Sequence, residues 1–223
     1  MNLLKKPDAI LFDWDGTLVD TIHVLTKSYN DVFSHFGKPL WTIEDGKKNI
    51  RTSSRETFPE MFGDRSDEAL QIYYDSIEKY HLEHLKKMEG VDEFLSMLKA
   101  KKIPLGVISN KRDHYLKKEI DYLGWNDYFS AIVGAGRGAK DKPNKEVMEI
   151  ALNEMRLPLA GLELWYVGDT EVDLELADNY GCRKIFISHG FGTLESAEKY
   201  RPDFIAGSCA ELGKGLDTIF NLR

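Results

Sequence analysis

In the stretch Ala9-Ile10-Leu11-Phe12-Asp13-Trp14-Asp15-Gly16-Thr17, an apolar run ends abruptly in two carboxylates and a tight turn. Four consecutive apolar residues bounded by a turn predict a short strand that is buried on both faces. Two negative charges at the end of such a strand are costly unless a cation or a shared proton compensates them. Asp13 and Asp15 are therefore candidate catalytic residues, and Gly16 permits the sharp turn that follows.

Outward from this stretch, short apolar runs alternate with helical patterns along most of the chain. Such alternation is typical of βαβ units, and it predicts an α/β fold with a Rossmann-like core of parallel strands. The helical pattern from Glu171 to Tyr180 ends at Gly181, which favours the backbone conformation of a helix C-terminus. The predicted strands are Ala9 to Phe12, Leu105 to Ile108, Tyr128 to Val133, Leu164 to Val167 and Lys184 to Ile187.

Residues 21–88 break the alternation, since they contain no convincing strand and several amphipathic helical patterns. One apolar stripe begins at Ile22 and closes at Gly37, and a second long helical pattern follows Ser66. We interpret this segment as an inserted α-helical cap domain, with residues 1–20 and 89–223 forming the catalytic core. Linkers near residues 19–21 and 89–90 would let such a cap move as a lid.

Composition and charge narrow the classes of partner. Thirty lysines and arginines stand against 37 aspartates and glutamates among the 223 residues, which gives a formal net charge of -7. This charge disfavours binding to nucleic acid or to an anionic membrane surface. With no stretch of about 18 apolar residues and no leader-like N-terminal segment, we expect a cytoplasmic protein. Cys182 and Cys209 have neither metal-ligand spacing nor the density of a disulfide scaffold.

Four polar elements are predicted to meet at one edge of the sheet, where open α/β sheets place their ligand sites. They are Asp13 with Asp15, Ser109-Asn110, Lys142-Pro143, and Gly168-Asp169 with Asp173 four residues later. Together they supply two neighbouring carboxylates, hydroxyl and amide donors, and one ammonium, which suits phosphoryl transfer. Mg²⁺ takes oxygen ligands of this kind, and Asp13 and Asp169 fit that role.

Each element also has an ordinary structural interpretation. The two aspartates before Gly16 could form a turn, and Ser109-Asn110 could cap the helix that follows. Lys142 could be a solvated lysine before a helix, and Lys140 competes with it for the functional role. Asp169 could cap a helix, and Asp173 could be an ordinary acid in its first turn. The order of all four elements along the chain favours catalysis.

Nearly the full length of the chain resembles the haloacid dehalogenase superfamily, and within it the phosphoglycolate-phosphatase-like branch with a helical cap. The resemblance rests on four motifs. They are Asp13-Trp14-Asp15-Gly16-Thr17-Leu18-Val19-Asp20, Val107-Ile108-Ser109-Asn110-Lys111, Lys142-Pro143, and Gly168-Asp169-Thr170-Glu171-Val172-Asp173. Two departures are Trp14, where relatives usually have a smaller apolar residue, and Ser109, where many have threonine. Neither removes a functional group that the chemistry requires.

The resemblance implies a role for each motif in a Mg²⁺-dependent phosphatase that acts through an aspartyl-phosphate. Asp13 would attack phosphorus, and Asp15 would protonate the leaving oxygen and then activate water. The backbone carbonyl of Asp15 would also bind Mg²⁺, together with Asp13 and Asp169, and with Asp173 through water. Phosphoryl oxygens would be held by Ser109, Asn110 and Lys142, and Lys142 would also offset the charge on Asp13.

The leaving group is less well specified by the sequence. Lys48 and Arg51 lie in a basic, hydroxyl-rich segment of the proposed cap and are candidate substrate contacts, although a solvated loop fits equally well. Asp15 favours a phosphatase over a dehalogenase, because a halide needs no acid to leave. A small phosphorylated metabolite such as phosphoglycolate is the expected substrate. A phosphosugar mutase, a pyrophosphatase or nucleotidase, and a noncatalytic phospholigand-binding module remain alternatives, and the oligomeric state is open.

Overall fold

The structure is a computed structural model that describes residues 5–221, with side chains up to residue 216. Its strands are β1 (Ala9–Phe12), β2 (Val19–Asp20), β3 (Lys86–Lys87), β4 (Leu105–Arg112), β5 (Ala131–Ala135), β6 (Leu164–Gly168), β7 (Arg183–Ile187) and β8 (Phe204–Ala206). Six of them form a parallel sheet in the order β5-β4-β1-β6-β7-β8. The expected α/β fold with a parallel sheet is confirmed.

Strand β1 lies at the centre of the sheet, where the strand order reverses direction. Ile10 pairs in register with Leu105 of β4 and with Trp165 of β6. The carboxyl ends of β1, β4 and β6 are therefore neighbours, which is the usual position of a ligand site in open α/β sheets. Side chains of β1 alternate between the two faces, since Phe12 packs in one hydrophobic cluster and Leu11 in the other.

Helices cover both faces of this sheet and bury its apolar strands. They are α5 (Val91–Ala100), α6 (Asp113–Tyr122), α7 (Glu146–Glu154), α8 (Glu171–Tyr180), α9 (Leu194–Glu198) and α10 (Cys209–Asn221). Helix α8 ends at Gly181 with a left-handed φ of 87°, as its sequence predicts. Strand β5 begins at Ala131, later than predicted, because residues 126–128 form a 3₁₀ turn. The short strand β8 was not predicted at all.

A separate group of helices lies between β2 and β3, two strands that pair with each other outside the six-stranded sheet. It consists of α1 (Ile22–His35), α2 (Ile43–Asn49), α3 (Ser54–Phe62), a 3₁₀ turn (Gly63–Arg65) and α4 (Ser66–Tyr80). Aromatic residues form its core, with the rings of Tyr29, Phe58 and Tyr73 in mutual edge contact. Strand β3 was missed in the segment 21–88, and it pairs antiparallel with β2. The division into core and cap at residues 21–88 stays a proposal.

None of the helices between residues 5 and 221 combines the length and the apolar character that are needed to cross a membrane.

Candidate active site

Asp13 is positioned by the sheet itself. Its backbone N–H donates to the carbonyl of Val167 at 2.9 Å, so the pairing of β1 with β6 continues one residue past β1. The chain then turns at Gly16, whose φ is 90°. A Cβ at Gly16 would overlap the carboxylate of Asp169, so this position requires glycine for its conformation and for its space.

Lys142 forms the central ion pair of the site. Its ammonium lies 2.6 Å from Oδ1 of Asp13 and 2.8 Å from Oδ1 of Asp173, and the side chain is buried. Burial alone would lower the pKa of Lys142, but Asp13 and Asp173 outweigh it and hold the pKa well above its usual value. Lys140, which competed with Lys142 for this role, is exposed to solvent.

Asp169 is fully buried at the end of β6 and is held from two sides. Thr17 Oγ1 donates to its Oδ1 at 2.7 Å, and the backbone N–H of Phe191 donates to its Oδ2 at 2.6 Å. Gly190 lets the loop after β7 approach, because a Cβ there would overlap the same carboxylate. Sequence reasoning missed this loop, and its only signal was a pair of glycines, Gly190 and Gly192, directly after a predicted strand.

Three buried carboxylates form a candidate metal centre. One ligand atom from each of Asp13, Asp169 and Asp173 lies within 4.8 Å of the other two. Burial, and then the neighbouring Asp173, raise the pKa of Asp169 to about 7, despite opposing hydrogen bonds. Burial and both neighbouring carboxylates likewise raise the pKa of Asp13, against the effect of Lys142. A hard divalent cation would relieve this repulsion, so the residues fit Mg²⁺.

Asp173 is fixed by the start of α8 in addition to Lys142. Its Oδ2 accepts hydrogen bonds from the backbone N–H of Thr170 at 3.0 Å and from the Thr170 hydroxyl at 2.7 Å. The side chain therefore caps the helix with one oxygen and faces Lys142 with the other. The structural and functional interpretations of Asp173 are compatible.

The Asp15 carboxylate lies outside this three-carboxylate cluster. Its Oδ1 accepts a hydrogen bond from Thr21 Oγ1 at 2.6 Å and lies 2.7 Å from the ammonium of Lys111. Asp15 also lines the same cavity as Asp13. A carboxylate beside Asp13 but apart from the three-carboxylate cluster has a position from which it could transfer protons at this site.

The carboxyl-terminal part of β4 contributes Ser109 and Asn110 to the site. Ser109 is buried, and its Oγ accepts a hydrogen bond from the backbone N–H of Lys111 at 3.1 Å. Oδ1 of Asn110 accepts from the backbone N–H of Lys142 at 2.9 Å, and the Asn110 amide group donates to the Arg51 carbonyl at 3.2 Å. Asn110 therefore ties the lysine loop to the helical segment as well as lining the cavity.

A cavity of about 70 Å³ lies between these residues and helices α1 and α4. Its floor contains Asp13, Asp15, Ser109, Asn110 and Lys142, which the structure brings together. Its roof contains apolar and aromatic side chains of the helical segment, together with Arg51. The roof side chains are Leu25, Tyr29, Ile50, Tyr73, Tyr74 and Ile77.

The two predicted cap contacts differ in position. Arg51 lines the cavity, but its guanidinium donates to Glu171 at 2.7 Å and to the carbonyl of Lys47. Lys48 is exposed on α2 and does not line this cavity. The structure therefore offers no contact between Lys48 and the site.

A second ion pair joins the helical segment to the loop that carries Lys142. Arg55 binds the buried Asp141 carboxylate through two hydrogen bonds, from Nε at 2.7 Å and from Nη2 at 2.9 Å. Ser53 Oγ donates to the same carboxylate, as does the backbone N–H of Gly136. Asp141 was not singled out in the sequence, although it directly precedes Lys142. Because Asp141 directly precedes Lys142, the contacts of the helical segment with Asp141 also constrain the loop that carries Lys142.

The sequence of this chain is similar to those of known hydrolases and phosphatases. The family model of the haloacid dehalogenase-like hydrolases matches residues 10–187. The chain is 29% identical over 221 residues to a phosphoglycolate phosphatase of Chromobacterium violaceum, covering 95% of this chain and 97% of that protein. It is 26% identical over 208 residues to the pyrophosphatase PpaX of Listeria monocytogenes, covering 93% and 95%.

A solved structure described as a predicted phosphatase from Clostridium acetobutylicum has the same fold. The TM-score is 0.85 at 24% identity, with 95% of this chain and 99% of that chain covered. The resemblance drawn from the motifs is thereby confirmed, and the family together with the names of its relatives supports a phosphatase enzyme.

Proposed function

Because this chain belongs to the haloacid dehalogenase-like hydrolases, we propose that it is a Mg²⁺-dependent phosphatase of a small phosphomonoester, with Asp13 as its nucleophile. The observation that carries this proposal is the buried contact between Lys142 and Asp13 beside two further carboxylates. An ammonium there offsets charge on the nucleophile and on the incoming phosphoryl group. Neither a turn nor a helix cap requires such an arrangement.

The proposed reaction has two steps. An Asp13 oxygen attacks phosphorus while the bond to the leaving oxygen breaks, and Asp15 delivers a proton to that oxygen. Asp15 then takes a proton from water, whose oxygen attacks the phosphorus of the aspartyl-phosphate. Inorganic phosphate leaves, and both carboxyl groups return to their starting states.

Other residues of the site would hold the phosphoryl group during both steps. Ser109, the Asn110 side chain and Lys142 would bind its oxygens. Asp13, Asp169 and Asp173 would hold Mg²⁺, with the Asp15 carbonyl as a further ligand. When bound, the ion supplies positive charge against the equatorial oxygens.

The size of the cavity supports a small leaving group. A volume of about 70 Å³ is well below the roughly 150 Å³ of a cavity that binds benzene, which favours a compact leaving group over one as large as a nucleoside. Phosphoglycolate, or a metabolite of similar size, is the first candidate substrate. Pyrophosphate is the second, because its leaving phosphate is equally compact and relatives named pyrophosphatase match at similar identity.

The test is phosphate release from a panel that includes phosphoglycolate, pyrophosphate, hexose phosphates and nucleoside monophosphates. We expect release from a compact substrate with Mg²⁺ and none with excess chelator. Conversion of a hexose phosphate into its isomer without phosphate release would instead identify a mutase. Binding of phosphorylated ligands without turnover on any panel member would favour a noncatalytic module.

Other expectations from the sequence remain predictions. They are a cytoplasmic location and the absence of nucleic-acid or membrane partners. The proposed cap at residues 21–88 would close over the cavity and exclude bulk water from the aspartyl-phosphate.

A further inference from the structure

A buried ionic cluster, which the proposed reaction does not use, lies behind Asp15. It consists of Lys111 and Glu119, with Trp14 and His81 as additional contacts of Glu119. Lys111 lies near the carboxyl end of β4, and Glu119 lies two turns further along the chain in α6. Glu119 was not a candidate in the sequence, since a single acid in an amphipathic helix gives no signal.

The contacts of Lys111 run in two directions. Its ammonium lies 2.7 Å from Oδ1 of Asp15 on one side. On the other side it donates to both oxygens of Glu119, at 2.8 Å and 2.7 Å. Lys111 is buried and also lines the cavity that contains Asp13. The ammonium of Lys111 therefore contacts both the Asp15 carboxylate, which lines the cavity, and the buried Glu119 carboxylate.

Glu119 is in turn fixed by two rings. The indole N–H of Trp14 donates to its Oε2 at 2.6 Å, and Nδ1 of His81 lies 3.0 Å from its Oε1. Glu119 has no exposed surface. Trp14 precedes Asp15 in the chain, and His81 directly follows α4 at the return from the helical segment. Glu119 is thus linked through Trp14 to the loop after β1, and through His81 to the end of the helical segment.

The contacts of Asp15 are unevenly distributed between its two oxygens. Oδ1 accepts from Thr21 and faces Lys111. Within residues 5–216, no side chain or backbone group donates a hydrogen bond to Oδ2. A carboxyl group held by one oxygen presents the other in a fixed direction, which is what proton transfer to a leaving group needs.

We propose that Lys111, anchored by Glu119, is a positioning residue that holds Asp15 by Oδ1, so that Oδ2 exchanges protons with the leaving oxygen and with water. This inference rests on the proposed function, since it assigns an orientation to the proton donor of that reaction. Stability alone is a weak explanation for the pair, because well-packed apolar residues often replace a buried ion pair without loss. The contact between Lys111 and Asp15 instead connects the Lys111–Glu119 pair to the proposed reaction.

The experiment compares substrates that differ in their need for a proton. An alkyl phosphate releases an alcohol, whose oxygen must be protonated, whereas acetyl phosphate releases acetate, which leaves without a proton. Both leaving groups can have two carbons and therefore fit the same cavity. The parameter is kcat/KM, because it reports only the steps up to departure of the leaving group.

The main variant is Lys111→Met with Glu119→Gln. It removes both charges, so that neither remains buried alone, and glutamine can still accept from Trp14 through its Oε1. Lys117→Met is the matched control, because Lys117 pairs with Asp113 on the exposed side of the same helix. Thermal unfolding of each variant shows that the fold is retained.

We expect kcat/KM of the double variant to fall about 100-fold with the alkyl phosphate that the wild type hydrolyses fastest, and less than about 3-fold with acetyl phosphate. The control should match the wild type with both substrates. An equal fall with both substrates, or no fall with either, would overturn the positioning role while leaving the proposed function intact. If the wild type releases phosphate from neither substrate and from no other member of the panel, the proposed function itself is wrong.

Discussion

Asp169 should make the metal-free protein less stable as the pH rises. Its pKa in the folded protein is raised from 3.8 to about 7, chiefly by burial. The folded state therefore holds this proton more tightly than the unfolded chain does. Between pH values of about 4 and 7 the folded state binds more protons, so its stability falls as the pH increases through that window. Above this window, Asp169 adds no further slope.

The size of the effect follows from the same interval. A pKa that moves from 3.8 to about 7 corresponds to roughly 4 kcal/mol, since one pKa unit is about 1.4 kcal/mol. About 3 kcal/mol of this change falls between pH 5 and pH 8. Bound Mg²⁺ should oppose it, because the ion binds the ionised carboxylate. At a concentration 100-fold above its dissociation constant, Mg²⁺ would add about 2.7 kcal/mol.

The variant Asp169→Asn isolates this contribution. Asparagine can accept from the Phe191 N–H through Oδ1 and donate to Thr17 Oγ1 through its amide, so both existing contacts can be satisfied. It has the shape of the protonated acid and cannot titrate. We expect it to lack the 3 kcal/mol decline and to gain little from Mg²⁺.

The assay is urea unfolding of wild type and variant at pH 5 and pH 8, with chelator and with Mg²⁺. For each protein we would measure how the free energy of unfolding changes from pH 5 to pH 8 and from chelator to Mg²⁺. These changes are then compared between wild type and variant. Equal pH dependence in both proteins would refute the assignment of a raised pKa to Asp169. Equal stabilisation of both by Mg²⁺ would refute its role as a metal ligand.

Three further predictions test the site and its contact with the helical segment. Lys142→Met should lower kcat at least 100-fold in steady-state kinetics, whereas Lys140→Met should leave kcat unchanged. Equal losses of kcat in the two variants would contradict the assignment of the catalytic lysine to Lys142. Arg55→Met should lower the free energy of unfolding by about 2 kcal/mol, because the buried Asp141 carboxylate loses two charge-assisted hydrogen bonds. Arg65→Met, which breaks an exposed pair, should leave the free energy of unfolding nearly unchanged in the same urea titration, and a similar loss in both variants would contradict this reasoning. Chelation should stop phosphate release until excess Mg²⁺ is added, and unchanged release in chelator would exclude the metal.

Strands with continuous apolar runs were the easiest part of the fold to predict. Ala9–Phe12 was predicted to the residue, because a centre strand that is buried on both faces has no polar positions. The short strands Lys86–Lys87 and Phe204–Ala206 escaped, since two or three residues carry no periodic pattern. Their strand conformation depends on a partner strand rather than on local sequence.

Residues of the site were likewise predictable only where the local sequence carries a pattern. Asp13, Lys142 and Asp169 could be proposed because they follow the ends of strands or belong to recognisable motifs. The residues that hold them were missed, as with the backbone N–H of Phe191, which is independent of side-chain identity. Glu119 and Asp141 were missed because their importance depends on a buried partner about 100 residues away, such as Trp14 or Ser53.

The central claim is that Asp13 becomes phosphorylated during turnover, and acid quenching followed by peptide mass spectrometry tests it directly. The Asp15→Asn variant with acetyl phosphate is the best sample, because acetate leaves without a proton while hydrolysis of the intermediate lacks its base. We expect a phosphorylated peptide with the modification on Asp13, and no such peptide in the additional variant Asp13→Asn. Phosphate release by the wild type without a phosphorylated Asp13, or near-normal turnover by Asp13→Asn, would show that Asp13 is not the nucleophile.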